Sequence, residues 1–192
     1  MAVQLALSHP SVVQGVVAAY PMLDLKSPFY TEVYSKPIVG VPNIPSSVVE
    51  KHLDAVRSGR RPAVVTAADP PERLELAFSV VQNGRFLEFF GNQNPDLFPM
   101  ERLESLTVAE AAELPPFFIF HGDQDSAVPA EGSRRFVSLL RERFPNNKNQ
   151  LYIQDGDHGF DVDATLEITW LGTGLSMVSS TWLNSLSGLS HL

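Results

Sequence analysis

The run Pro116-Phe117-Phe118-Ile119-Phe120 limits what this chain can become more than any other stretch. None of its positions suits water. The strand it forms must therefore be covered on both faces, and strands of that kind belong to parallel sheets with helices packed on each side. The segments downstream keep the matching rhythm. Phe136, Val137, Leu139, Leu140 and Phe144 recur at helical spacing over about residues 131–144, and Gln150-Leu151-Tyr152-Ile153 reads as the next strand. Nearer the N-terminus, residues 1–9 read as the end of an amphipathic helix stopped by His9-Pro10. The β-branched run Val12 to Ala19 reads as a further buried strand ended by Tyr20-Pro21. A last helix is expected over about 175–187, with Leu175, Val178, Trp182, Leu183 and Leu186 on its buried side, after a kink at Gly172-Thr173-Gly174. This order of strands and helices predicts an α/β fold, a mostly parallel sheet flanked by helices.

Residues 25–105 break the rhythm. They hold many of the 15 prolines and several helix starts. Ser47-Val48-Val49-Glu50 has the spacing of a capping box. Asp69-Pro70-Pro71-Glu72 offers an acidic N-cap, prolines in the first turn and a carboxylate near the positive helix end. Leu74, Ala77, Phe78 and Val81 follow at helical spacing, Asn83-Gly84 marks a break, and Phe86, Leu87, Phe89 and Phe90 form an aromatic cluster. The block is expected to be a helical cap insertion in a single domain spanning 1–192, whose core comes from 1–24 and 106–192.

Charge and composition exclude several function classes. The chain carries a net charge of −8 and its basic residues are scattered, which argues against nucleic acid or an anionic membrane as a partner. The densest basic group, Arg134, Arg135, Arg141 and Arg143, reads as the solvated side of a helix. The lack of cysteine excludes a disulfide framework and a thiolate metal site. No apolar run approaches the roughly 18 residues of a membrane span. The N-terminus has no basic stretch and no cleavage signature, so a cytoplasmic location is expected. The acidic group Asp155, Asp157, Asp161 and Asp163 around His158 does not fit a calcium loop. The sixth position, which needs glycine, is Phe160 counted from Asp155 and Val162 counted from Asp157. Neither a metal nor a cofactor is expected.

The residues with chemistry to offer lie just past the two apolar strands. In a parallel sheet, loops at the carboxyl ends of neighbouring strands share one edge. Asp125 in His121-Gly122-Asp123-Gln124-Asp125 and His158 in Asp157-His158-Gly159-Phe160 are therefore expected within hydrogen-bonding reach. A carboxylate there fixes the imidazole tautomer, orients the ring and stabilises the imidazolium formed in catalysis. An unlinked reading stays open for each residue alone: an Asp that caps the following helix and an ordinary loop His.

These segments carry a resemblance. Leu5-Ala6-Leu7-Ser8-His9-Pro10 leading into Gly15-Val16-Val17-Ala18-Ala19-Tyr20-Pro21 is similar to the carboxyl-terminal half of an α/β-hydrolase, in the hormone-sensitive-lipase-like esterase branch. So are Pro115 to Gly122 with Asp123, Asp125, Val128 and Pro129, and Asp157-His158-Gly159-Phe160. The resemblance implies that Asp125 is the triad acid, with Asp123 a neighbour, that His158 is the general base, and that His121 is structural. It implies a serine ester hydrolase acting on an apolar small-molecule ester, with Phe86, Phe89, Phe90 and Phe98, together with Met100, as candidates to line the substrate pocket.

The same resemblance calls for a Gly-x-Ser-x-Gly elbow ahead of the first helix and a Gly-rich oxyanion loop, and neither occurs in the chain. Gly174-Leu175-Ser176-Met177-Val178 lacks the last glycine and follows the His, and Gly188-Leu189-Ser190 fails likewise. The elbow is expected just upstream of Met1, so the triad is incomplete and the chain is expected to be a fragment, half of a two-chain enzyme, or a pseudoenzyme. A pseudo-hydrolase would bind an apolar molecule or a protein, and self-association at an exposed sheet edge is open to it. A His–Asp general base serving an isomerase or lyase is the third reading.

Overall fold

The computed structural model describes residues 1–60 and 70–187, with side chains described over 1–60 and 73–180. The elements in chain order are α1 (Ala2–Ser8), β1 (Val16–Ala19), α2 (Pro28–Thr31), α3 (Ser47–Arg57), α4 (Pro70–Gln82), α5 (Phe86–Phe90), a 3-10 turn (Pro95–Leu97), α6 (Pro99–Ser105), α7 (Val108–Ala112), β2 (Phe117–Gly122), α8 (Ala130–Arg143), β3 (Asn149–Gln154) and α9 (Thr169–Ser187). The proposed cap at Asp69, the side chains of Trp182, Leu183 and Leu186, and Gly188-Leu189-Ser190 lie outside the described residues.

The chain forms two compact units, Met1–Leu25 with Asn94–Leu192, and Lys26–Gln93. The first is an α/β layer structure. Its three strands are parallel in the order β1-β2-β3, with Val16 opposite Phe117 and Phe117 opposite Asn149. β2 is buried along its whole length, as its apolar run requires. Side-chain alternation divides its contacts between two layers. Phe117 and Ile119 join Val16, Ala18, Leu7, Leu103, Phe136 and Leu140 in one core cluster, so α1, α6 and α8 pack on that face. Phe118 and Phe120 turn the other way onto Trp170 at the start of α9, with ring centroids 6.3 and 5.2 Å apart. Tyr152 of β3 stacks on the same indole at 4.5 Å.

Several expectations need correction. β1 is only four residues long and is not fully buried. Residues 9–13 turn instead, with the Val12 and Val13 amides bonded to the His9 carbonyl, and Val17 is 42% exposed because no described strand pairs on the far side of β1. The Gly172-Thr173-Gly174 kink does not occur, and α9 runs straight through it from Thr169. Gly174 serves close packing, since a Cβ there would collide with the Phe118 ring. The basic side of α8 is exposed to solvent as expected, and its arginines are paired as well: Arg134 binds Asp123, Arg135 binds Asp24, and Arg141 donates to Asn149 at 2.8 Å. Within the first unit, Leu103 and Leu106 belong to the core cluster.

In the second unit the Ser47–Glu50 capping box is not formed. α3 begins after Ser46 with no side-chain cap, and Glu50 pairs with Arg85 instead. A capping box does form at α7, where the Glu110 amide bonds the Thr107 hydroxyl at 3.2 Å and the Thr107 amide bonds the Glu110 carboxylate at 2.8 Å. The buried face of α4 also differs from the apolar stripe expected of it. Leu74 and Ala77 are exposed, and Ser79, Val80 and Gln82 are buried. The Gln82 amide accepts the Ile44 N–H at 2.8 Å and faces the carbonyls of Lys36, Val41 and Pro42, so a polar side chain here orders an irregular loop. The Lys36 ammonium is buried against the carbonyls of Phe29, Glu32 and Val81 at 2.5, 2.7 and 3.1 Å. Among the described residues no helix is long and apolar enough to cross a membrane.

Candidate active site

Both predicted residues sit past the carboxyl ends of neighbouring strands. His158 Nδ1 lies 2.9 Å from Asp125 Oδ2. Asp123, two residues earlier, pairs with Arg134 instead. The other oxygen of Asp125 accepts the backbone N–H groups of Ala127 and Val128 at 2.9 and 2.8 Å. Those amides lie in the turn ahead of α8, so Asp125 acts as an Asx-type acceptor as well as a partner of His158. With Nδ1 committed as donor to the carboxylate, the lone pair of His158 falls on Nε2. That nitrogen has no hydrogen bond among the described residues, and the side chain is 33% exposed.

His121 is buried and supports Asp125 from behind. Its Nε2 is 2.7 Å from the Val128 carbonyl, which can only accept, so Nε2 carries a proton. The same N–H lies 3.3 Å from Asp125 Oδ2, and Nδ1 meets the Ser133 hydroxyl at 2.9 Å. Asp125 thus has four donors around it. Burial raises the Asp125 pKa, but the hydrogen bonds from His121, the Val128 amide and His158 outweigh it and hold the carboxyl below its ordinary value.

The stability this carboxylate contributes is present above its unfolded pKa of about 3.9 and is lost as pH falls through the lower folded value. Urea midpoints measured from pH 6 downward should stay level to about pH 4 and then fall, with a shallower acid limb in Asp125→Asn. Identical slopes in the two proteins would show that this carboxylate does not report on folding.

The two site loops are stitched together by residues that sequence reasoning missed. Asp157 Oδ1 accepts the Ser126 amide at 2.7 Å, the Ser126 hydroxyl at 2.8 Å and the His158 amide at 2.7 Å. The Ser126 amide is the leading cause that lowers the Asp157 pKa. The Gln124 side chain accepts the Gly156 amide at 2.6 Å, and the Gln124 amide donates to the Gly156 carbonyl at 3.0 Å. Gly122 permits this approach, because a Cβ there would lie 2.5 Å from the Gly156 carbonyl oxygen. Tyr20, at the end of β1, takes the left-handed backbone conformation with φ 36° and lays its ring 4.3 Å from the His158 ring. For a non-glycine residue this conformation costs on the order of 1–3 kcal/mol.

The remaining candidates divide between the two units. Phe86 packs on Tyr30 and Phe90 at 5.3 Å each, and Phe89, 42% exposed, lies 6.2 Å from the His52 ring, all within the second unit. Phe98 belongs to the first unit, just ahead of α6, and is 1% exposed. Ser176 sits within α9, on a regular helix without the strained strand-to-helix turn a nucleophile elbow needs.

No protein-family model matches the chain. Over 184 residues it is 28% identical to a probable carboxylesterase of Phoma sp., covering 95% of this chain and 56% of that protein. In sequence the chain is similar to esterases of the α/β-hydrolase superfamily. Over 83 residues it is 32% identical to the esterase LipQ of Mycobacterium tuberculosis, covering 43% of this chain and 19% of that protein. A solved structure from Staphylococcus aureus subsp. aureus Mu50, described as a protein of unknown function, shares the fold with a TM-score of 0.53. It is 15% identical, covering 93% of this chain and 58% of that one. The chain spans 56% of the length of the fungal relative.

Proposed function

We propose that this chain supplies the acid–base part of a serine carboxylic-ester hydrolase. Asp125 orients His158, and His158 Nε2 takes the proton from a serine hydroxyl that lies outside this chain. The alkoxide attacks the ester carbonyl, His158 returns the proton to the leaving alcohol, and a water molecule repeats the sequence on the acyl-enzyme. The observation that carries this reading is the 2.9 Å bond from His158 Nδ1 to a carboxylate already anchored by two backbone amides, with Nε2 unengaged. The esterase relatives support an ester as substrate. Phe86, Phe89, Phe90 and Phe98 are the aromatic residues proposed to favour an apolar one, within a cap spanning residues 25–105. Phe98 could do so only by shaping the protein around a pocket, since it is buried. The edge of β1 that no described strand pairs is the side proposed for a serine-bearing segment, whether of the same polypeptide or of another copy.

An organophosphonate serine probe and a p-nitrophenyl ester test this on the purified chain. Loss of the nucleophile costs on the order of 10⁶ in rate, and loss of one oxyanion donor about 10²–10³, so neither labelling nor turnover above background is expected. Stoichiometric labelling that disappears in His158→Ala would mean the nucleophile is inside the chain.

The absence of a Gly-x-Ser-x-Gly sequence also favours a second reading, a pseudo-hydrolase that binds an apolar molecule without turnover. It predicts saturable binding of a fluorescent fatty-acyl probe with little change in His158→Ala. Ester turnover abolished by that substitution would exclude it.

A further inference from the structure

We propose that Tyr20 is a positioning residue that seats the His158 imidazole against Asp125. The inference rests on the reading of His158 as general base, and it assigns a role to a residue outside the triad pattern. The hydrogen bond from Nδ1 to Asp125 fixes one edge of the imidazole but leaves its tilt free. The loop that carries His158 has no strand or helix to set that tilt, running through isolated turns from Asp157 to Ala164. Tyr20 supplies the missing contact, with ring centroids 4.3 Å apart and planes inclined by 56°. Its edge also meets His121 at 6.4 Å and 73°.

The backbone explains how the ring gets there. The Tyr20 amide still bonds the Phe120 carbonyl at 2.8 Å, so the residue keeps the register of β1. Continued strand alternation would send residue 20 to the face of Ala18, into the core. The left-handed turn at φ 36° instead takes the side chain over the carboxyl edge of the sheet, where His158 lies. Glycine would adopt that conformation without penalty. A tyrosine held there implies that its ring contributes something that outweighs the strain. Burial first, and then the Asp161 carboxylate in the same loop, push the pKa of the phenol up.

The test is the exchange rate of the His158 Nδ1–H proton with water, read by NMR on the ¹⁵N-labelled chain and assigned by its loss in His158→Ala. Tyr20→Phe keeps the ring face and should retain a protected proton. Tyr20→Ala and Tyr20→Gly remove the ring and should speed exchange at least tenfold. Tyr20→Gly also relieves the backbone strain, so its thermal midpoint should not fall below that of Tyr20→Ala. A role confined to folding would lower the midpoint and leave exchange unchanged. Folded Ala and Gly variants with wild-type protection would overturn the proposal, as would Tyr20→Phe losing protection as fully as Tyr20→Ala. No substrate is involved, so the outcome is independent of whether the chain carries or lacks a reactive serine.

Discussion

Asp125→Ala should lower the unfolding free energy by about 2–6 kcal/mol in urea denaturation, the range for two backbone donors that lose their acceptor at about 1–3 kcal/mol each. The loss is large because one carboxylate serves several groups. The amides of Ala127 and Val128 would be left without their acceptor in the turn ahead of α8, each at a cost of about 1–3 kcal/mol. His121 Nε2 would keep the Val128 carbonyl, but the His158 ring would lose the carboxylate that its Nδ1 donates to. Asp125→Asn keeps an oxygen for the two amides and should cost roughly half as much. If the two variants proved indistinguishable, the anchoring of the turn ahead of α8 by the Asp125 oxygen would be wrong.

Gly122→Ala should cost about 2–3 kcal/mol, at the upper end for overpacking, and should loosen His158 as well. The added methyl would meet the Gly156 carbonyl oxygen at 2.5 Å, the Asp157 carbonyl oxygen at 2.9 Å and the Gly156 carbonyl carbon at 3.0 Å. These are backbone atoms, and they cannot swing aside as a flexible side chain would. Either β2 or the loop after β3 must move, and the bonds between Gln124 and Gly156 lie directly beside the contact. Denaturation midpoints together with the His158 Nδ1–H exchange rate would check both effects. A variant with wild-type stability would show that the loop yields more easily than its hydrogen bonds indicate.

The legible part of this protein was the part written in residue period and order. Phe117 to Phe120 had to be a doubly covered strand, and the spacing of Phe136, Val137 and Leu140 had to be one helix face, because the hydrophobic effect acts on every such position alike. The Asp125–His158 contact followed from placing two polar residues after two parallel neighbours. The Thr107–Glu110 box was readable from its spacing but overshadowed by the similar pattern at Ser47–Glu50, where Arg85 draws the glutamate away. Gly172 and Gly174 read as a kink because glycine weakens isolated helices, whereas here one of them lets α9 approach Phe118.

The sequence by itself determined the layer architecture, the superfamily resemblance and the choice of Asp125 and His158, since these depend on local pattern and chain order. Only the tertiary structure decided how the pair is held. It brought His121 and Ser133 behind the carboxylate, closed Gln124 and Asp157 across the two loops, and turned Tyr20 over the imidazole. These contacts join residues far apart in the chain through single hydrogen bonds and one strained dihedral. Such interactions have no period and no motif, so they become visible only when the strands have been brought into register.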